Sequence, residues 1–293
     1  MKVLKAALLG RSLPYSISPD VHHQLFRLTH AKWGRFDTLD YSRTELLDEN
    51  SFREFVQNNT DYNGFNITFP YKFIASTLEG QTSETVRSIH SANTIGCDNP
   101  RSIISTDGNG FRFALEKLLP AFRASGFSLV MLGAGGAARA VLYALMHWGW
   151  RKTTIAARSL DAARNAHELT NTIIATTLDD FRRDAGPHFV VQATPVGQRG
   201  GETLLQDFEW RPGDIAADLI YNPLRTRFLE RARNGGAATI DGLGMLIEQA
   251  ALSQYFWTTG TESNDSVLTN EEFHTLHASL SKLLKPRWDA SDI

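Results

Sequence analysis

Short apolar runs alternate along this chain with stretches whose apolar residues recur at helical spacing, the pattern of βαβ units and mainly parallel sheets. Residues 5–9 form the first predicted strand. Ser18-Pro19 then reads as an N-cap followed by a proline at the first helical position, and Val21, Leu25 and Leu28 give that helix its apolar stripe. Ile67 and Phe69 suit a buried extended segment, after which Pro70 pre-sets φ for the start of a helix. A second block opens on the apolar run 129–132; a glycine loop follows, then Val141, Leu145 and Trp148 at i, i+4 and i+7. Strands are predicted at 128–132, 153–156, 189–192 and 215–219, and an exposed loop at 199–214, where three glycines and a proline fall. Helices are expected over 246–255 and over Phe273, Leu276, Leu280 and Leu283, the last stopping before Pro286. No internal repeat or low-complexity segment interrupts this order.

Composition narrows the function classes. A chain of 293 residues allows two domains of ordinary size with ample core. Its formal net charge of −2, from 30 basic and 32 acidic residues without long runs, argues against nucleic acid or an anionic membrane surface as the main partner. Cys97 is the only cysteine, so neither an internal disulfide nor a cysteine-rich zinc site is expected. Lys5 and Arg11 leave the opening residues too short an apolar core for a signal peptide, and no uncharged apolar stretch reaches the roughly 18 residues of a spanning helix. The expectation is a cytoplasmic protein. His22 and His23, adjacent on the first helix, read as one packed and one solvated residue without catalytic or metal role.

Two segments carry candidate chemistry. In Gly64-Phe-Asn-Ile-Thr-Phe-Pro-Tyr-Lys72, the lysine falls in a first helical turn, where the positive end of the dipole disfavours the charged ammonium. Partial burial acts in the same direction, toward an amine that accepts a proton. Gly133-Ala-Gly-Gly-Ala137, between a buried strand and an amphipathic helix, is the arrangement of a diphosphate site: backbone approaches closely and free N–H groups meet the anion. At the end of the next strand a carboxylate would bond a ribose 2′-hydroxyl, whereas an arginine suits a 2′-phosphate. The chain offers Ala157-Arg158-Ser159, which selects NADP through Arg158, while Asp161 keeps NAD open.

Four further segments join these: Ser16-Ile-Ser-Pro-Asp-Val-His22, Ser91-Ala-Asn-Thr-Ile-Gly96, Ser105-Thr-Asp-Gly-Asn-Gly-Phe111 and Asp241-Gly-Leu-Gly-Met-Leu-Ile-Glu-Gln249. With Ala193-Thr-Pro-Val-Gly197 and Asp218-Leu-Ile-Tyr-Asn-Pro223, their order and spacing resemble the shikimate dehydrogenase family, from Gly10 to about Trp257. The resemblance implies an α/β fold of two domains, with a Rossmann-type, doubly wound NADP-binding domain (108–242) inserted in an α/β substrate-binding domain (1–107, completed by helices in 243–293). It implies alcohol–ketone interconversion at a cyclohexene carboxylate, with Lys72 as proton acceptor and Asp107 orienting it. Ser16, Ser18 and Tyr221 would then hold the substrate carboxylate, and Thr68, Asn93 and Gln249 the ring hydroxyls. Gly133, Ala134, Gly135, Gly136, Ala137, Arg158, Ser159 and Thr194 would line the cofactor, with Glu84, Leu219 and Gly242 around the nicotinamide. Each has a plainer reading beside it: Ser18 as a helix cap, Asn93 and Asp107 as turn residues, Gln249 as an exposed polar position on its helix.

The chain also departs from the family pattern. Ser12 replaces a proline and Tyr15 a histidine in the opening motif; Ser105 and Gln192 replace asparagines. Ala157 and Ala162 stand where many NADP-dependent members have asparagine and a second arginine. A lost charge-assisted phosphate contact weakens discrimination against NAD by about 1–3 kcal/mol. The first expectation is therefore NADP-dependent reduction of 3-dehydroshikimate to shikimate by a monomer or homodimer. A quinate or amino-shikimate dehydrogenase using NAD or NADP is the second, and a non-catalytic NADP-binding regulator the third.

Overall fold

The computed structural model describes residues 1–123, 126–150, 153–167, 173–200 and 203–284. Two compact units divide the chain: Met1–Phe113 with Leu246–Leu280, and a second built on Ala114–Met245. In chain order the second unit thus interrupts the first.

The first unit runs β1 (Val3–Gly10), α1 (Ser18–Trp33), β2 (Thr38–Glu45), α2 (Glu49–Asn58), β3 (Gly64–Ile67), α3 (Lys72–Ala75), β4 (Gln81–Thr82), α4 (Glu84–Ile89), β5 (Thr94–Gly96), β6 (Ser102–Ile104) and α5 (Asp107–Leu118). Its sheet has the order β2-β1-β3-β5-β6-β4 and is mixed rather than parallel, because β5 runs antiparallel to both β3 and β6. The continuous apolar run of β1 follows from cover on both faces. Ala7 and Leu9 point to a cluster with Phe52 and Val56 of α2, whereas Leu4, Ala6 and Leu8 meet Phe256 and Trp257 on the other side.

The second unit runs β7 (Ser128–Leu132), α6 (Gly136–His147), β8 (Thr153–Ala157), α7 (Leu160–His167), β9 (Ile173–Thr177), β10 (His188–Gln192), β11 (Ile215–Asp218), α8 (Arg227–Asn234) and β12 (Ala238–Ile240). Every strand pair is parallel, in the order β12-β11-β10-β7-β8-β9. The chain therefore builds outward from β7 to one edge and then from β10 to the other, the doubly wound topology whose switch point lies between those two strands. Two helices follow, α9 (Leu243–Thr259) and α10 (Asn270–Leu284), most of both belonging to the first unit.

Several sequence expectations need correction. The cap position of α1 is Ile17 and Ser18 is already helical, so Ser18 caps nothing, although Pro19 does lie in the first turn. The α1 stripe passes from Leu25 to Thr29 rather than to Leu28, which is exposed; the Thr29 hydroxyl is satisfied by the Leu25 carbonyl at 2.8 Å. Phe69 is 78% exposed, because β3 ends at Ile67 and the turn closed by Tyr71 N–H to Thr68 O throws it outward. Tyr71 is the buried aromatic instead, stacked on Phe52 with ring centroids 4.9 Å apart. Pro70 follows a cis bond and lies outside α3, which begins at Lys72. The 199–214 segment is not simply exposed: Phe208 and Trp210 enter the second unit's core, while 201–202 lie outside the described residues. In α10 the buried leucine of the last turn is Leu284, not Leu283; Pro286 lies outside the described residues.

Candidate active site

In the first unit, three helices and one loop bring Lys72, Asn93, Asp107 and Gln249 together. Lys72 opens the single turn of α3, and Asp107 opens α5. Lys72 Nζ lies 2.6 Å from Asp107 Oδ2, with side chains 18% and 6% exposed. The dipole of a four-residue helix is slight, and the amine has a carboxylate partner, so the sequence argument from the helix end does not describe this lysine. Asp107 Oδ1 accepts from Asn93 Nδ2 at 2.9 Å, which leaves each carboxylate oxygen with its own donor.

Asn93 can face only one way. Its Oδ1 accepts the backbone N–H of Thr106 at 2.7 Å, a bond that an amide nitrogen could not make, so Nδ2 is turned toward Asp107. The same Nδ2 lies 2.9 Å from Thr106 Oγ1 and 3.3 Å from Gln249 Oε1. Gln249 is half-buried on α9, its Nε2 donating to the Leu246 carbonyl at 2.8 Å, rather than an exposed surface position. Gly110 makes this approach of α5 and α9 feasible, since a Cβ there would stand 2.7 Å from Gln249 Cβ.

Ser16 and Ser18 lie side by side, Ser16 Oγ donating to Ser18 Oγ at 3.0 Å. Arg43 of β2 fixes their loop: its Nη1 donates to the carbonyls of Leu13, Pro14 and Ser16 at 3.1, 3.2 and 3.1 Å. Glu45, two residues on, accepts the Leu13 N–H at 2.7 Å. Thr68, just past β3, packs its methyl where a Cβ on Gly10 would stand, so the two loops approach closely only because residue 10 is glycine. Tyr15 is exposed beside the serines. Glu84 is exposed in the first turn of α4 and bonds to none of the Lys72 cluster. Sequence reading missed Arg43, Glu45 and Thr106; for the first two, an alternating arginine and glutamate on a strand was the available signal.

In the second unit, the loop after β7 meets the loop after β10 at the topological switch point. Gly133 has φ +106°, donates its N–H to Ala156 O at 2.8 Å, and has room for no Cβ without closing to 2.9 Å on Thr194 Cγ2. Gly135 caps α6 with no side-chain bond, and a Cβ there would project into open space. Gly135, Gly136 and Ala137 therefore present uncapped N–H groups at the start of a 12-residue helix, as a diphosphate requires, while Gly133 and Ala134 form the turn that leads into it. Arg158 is exposed one residue past β8, and Ser159 caps α7 by accepting the Ala162 N–H at 3.2 Å. An arginine free at that strand end fits a 2′-phosphate, so the donor set fits NADP.

Leu219 and Gly242 also meet: a Cβ on Gly242 would lie 2.2 Å from the Leu219 carbonyl oxygen, and Gly242 N–H donates to Ile220 O at 3.1 Å. Buried Asp218 shapes this turn by accepting Ile220 N–H at 3.0 Å and the Thr226 hydroxyl at 2.7 Å. Burial pushes its carboxyl up to about 7, against those two bonds. Tyr221 is half-buried three residues beyond β11. Among the described residues, no group of three or more His, Cys, Asp or Glu could hold a metal ion, and no helix is long and apolar enough to cross a membrane.

Residues 8–95 match the model of the shikimate dehydrogenase substrate-binding domain. The chain is 33% identical over 263 residues to a shikimate dehydrogenase (NADP(+)) of Caldicellulosiruptor saccharolyticus, covering 86% of this chain and 91% of that one. Among solved structures, a chorismate mutase/shikimate 5-dehydrogenase fusion protein from Clostridium acetobutylicum superposes with a TM-score of 0.78 at 27% identity, over 97% of this chain and 100% of that one. Quinate dehydrogenase from Corynebacterium glutamicum in complex with NAD superposes with a TM-score of 0.76 at 25% identity, over 94% and 99%. By its sequence relatives, its fold and the order of its motifs, the chain belongs to the shikimate dehydrogenase family.

Proposed function

We propose that this protein catalyses the NADP-dependent, reversible reduction of 3-dehydroshikimate to shikimate, a step of aromatic amino-acid biosynthesis. The observation that carries the reading is the Lys72–Asp107 pair, 2.6 Å apart and braced by Asn93. NADP, when bound, supplies the hydride donor and acceptor. In oxidation, Lys72 Nζ takes the substrate hydroxyl proton; in reduction it returns a proton to the carbonyl oxygen. Asp107 orients Lys72 and stabilises its charged form. Ser16, Ser18 and Tyr221 hold the substrate carboxylate, while Thr68, Asn93 and Gln249 select the ring hydroxyls, a pairing that rejects analogues lacking them. The loop 133–137 with Thr194 takes the diphosphate, Arg158 and Ser159 the 2′-phosphate side, and Leu219, Gly242 and Glu84 the nicotinamide. A cytoplasmic monomer or homodimer acting on a small molecule goes with this reading.

A second reading keeps the chemistry but takes quinate or an amino-shikimate, with NAD or NADP. It is favoured by exposed Tyr15 beside the serine pair and by alanine at 157 and 162 around Arg158. Initial rates with shikimate and with quinate, each with NADP and NAD, on wild type and Lys72→Ala, decide between them. Shikimate with NADP should dominate, and Lys72→Ala should lower kcat by about a hundredfold or more. Quinate or NAD dominating would select the second reading. Tight NADP binding without turnover of any pair would sink both and leave a nucleotide-binding regulator.

A further inference from the structure

Behind the Lys72–Asp107 pair lies a buried set of neutral polar side chains that the proposed chemistry does not use. Asn66 of β3 and Thr94 of β5 are register partners in an antiparallel pair, so their side chains share one face of the sheet. Ser253, one helical turn beyond Gln249 on α9, lies over both. Its hydroxyl donates to the Gln249 carbonyl at 2.9 Å, which leaves its lone pairs to receive other donors. Asn66 Nδ2 lies 3.0 Å from Ser253 Oγ, Thr94 Oγ1 lies 2.8 Å away and Thr106 Oγ1 3.2 Å. On the far side, Asn66 Oδ1 accepts the Tyr41 hydroxyl at 2.9 Å, and the Tyr41 ring is stacked on His22 at 4.0 Å. On the near side, Thr106 and Thr94 both reach Asn93, at 2.9 and 3.3 Å.

We propose that Ser253 is a positioning residue, the hub of a hydrogen-bond chain from Tyr41 through Asn66, Thr94 and Thr106 that fixes Asn93 and thereby Asp107 and Lys72. Asn93 Nδ2 has two hydrogens and three acceptors within reach, so the pull of Thr106 Oγ1 decides how much of it remains for Asp107. Thr106 Oγ1 is turned by the partner that takes its own proton, and Ser253 Oγ is one of the two oxygens placed to do so. All six residues of the chain are buried, where a polar group is costly unless satisfied and a satisfied network is stiff. An apolar residue at 66, 94 or 253 would serve packing alone equally well.

The inference rests on the proposed shikimate chemistry for its kinetic arm only. Ser253→Ala and Thr94→Val are compared with wild type by initial rates and by the side-chain amide signals of 15N-labelled Asn93. Each variant should lower kcat about tenfold to a hundredfold with KM within about threefold. Each should also displace the Asn93 amide pair and speed its exchange with solvent about tenfold. The two changes combined should cost little more than the larger alone. An Asn93 amide unmoved in the folded variants overturns the proposal, as does unchanged kcat, or a rise in KM in place of the fall in kcat. If wild type turns over neither substrate, the functional reading fails, and the amide signals alone still decide whether Ser253 holds Asn93. Should Ser253→Ala not fold, Thr94→Val carries both readings.

Discussion

Gly110 on α5 and Gln249 on α9 pack backbone against side chain, with no room for a single added methyl between them. A Cβ at residue 110 would come within 2.7 Å of both the Gln249 nitrogen and its Cβ. Intrinsic propensity alone would favour alanine in a helix, by up to about 1 kcal/mol. The clash is with backbone and cannot be relieved by a rotamer change, so overpacking of about 1–3 kcal/mol should win. Gly110→Ala is therefore expected to lower the urea midpoint. Because Gln249 Oε1 is drawn off Asn93, it should also raise KM for shikimate more than it lowers kcat. A stabilised Gly110→Ala protein with unaltered KM would refute this account of the helix contact.

Arg43 holds the loop carbonyls of Leu13, Pro14 and Ser16 from a neighbouring strand, yet touches neither serine hydroxyl. Its side chain is exposed, so the clamp adds little to global stability. Its effect should lie in keeping the Ser16–Ser18 pair formed before substrate arrives. Arg43→Ala should raise KM for shikimate about fivefold to tenfold, leave kcat within about twofold, and shift Tm by less than about 3 °C. Equal loss in kcat would place Arg43 in the chemistry rather than in the loop.

Arg158 is the cationic group that the loop after β8 offers to a 2′-phosphate. A charge-assisted bond of about 1.5–3 kcal/mol corresponds to roughly a tenfold to a hundredfold change in affinity. Arg158→Leu should raise KM for NADP by that factor and leave KM for NAD nearly unchanged, measured with saturating shikimate. If both cofactors weaken together, Arg158 supports the loop rather than the phosphate, and the NADP preference arises elsewhere.

What the sequence revealed and what it hid divide along physical lines. The strand–glycine loop–helix at 128–147 was legible because each part is local: a buried run, a turn that needs Gly133, and an amphipathic repeat. β8, β10 and β11 were placed to within a residue for the same reason. Lys72 was read from its own segment and Asp107 through the family motifs, yet their 2.6 Å contact spans 35 residues and no periodicity encodes it. Asn66 and Ser253 escaped notice because a polar residue inside an apolar run reads as an interruption, whereas here each faces other polar residues. Phe69 was expected in the core and Tyr71 lies there instead, because the direction of a side chain past a strand end is set by the turn, which the apolar pattern does not describe.

His22 offers a test of the packing beneath the site. It is fully buried on α1, stacked on Tyr41 at 4.0 Å and on Trp257 at 5.6 Å. Burial, with a smaller contribution from neighbouring His23, pushes its pKa from 6.5 down to about 3. Below pH 6.5 the unfolded chain therefore binds a proton that the folded chain refuses, so the contribution to stability is full above that pH and is lost as pH falls toward 3. Between pH 7 and pH 5 this amounts to about 2 kcal/mol. His22→Phe keeps a ring against Tyr41 and Trp257 while removing the titration. In urea unfolding at the two pH values, wild type should lose about 2 kcal/mol more than the variant, whatever the carboxylates contribute to both. Equal losses would mean that His22 is accessible to protons in the native protein, and that the stack closing the far end of the Tyr41–Asn66 chain is looser than its geometry implies.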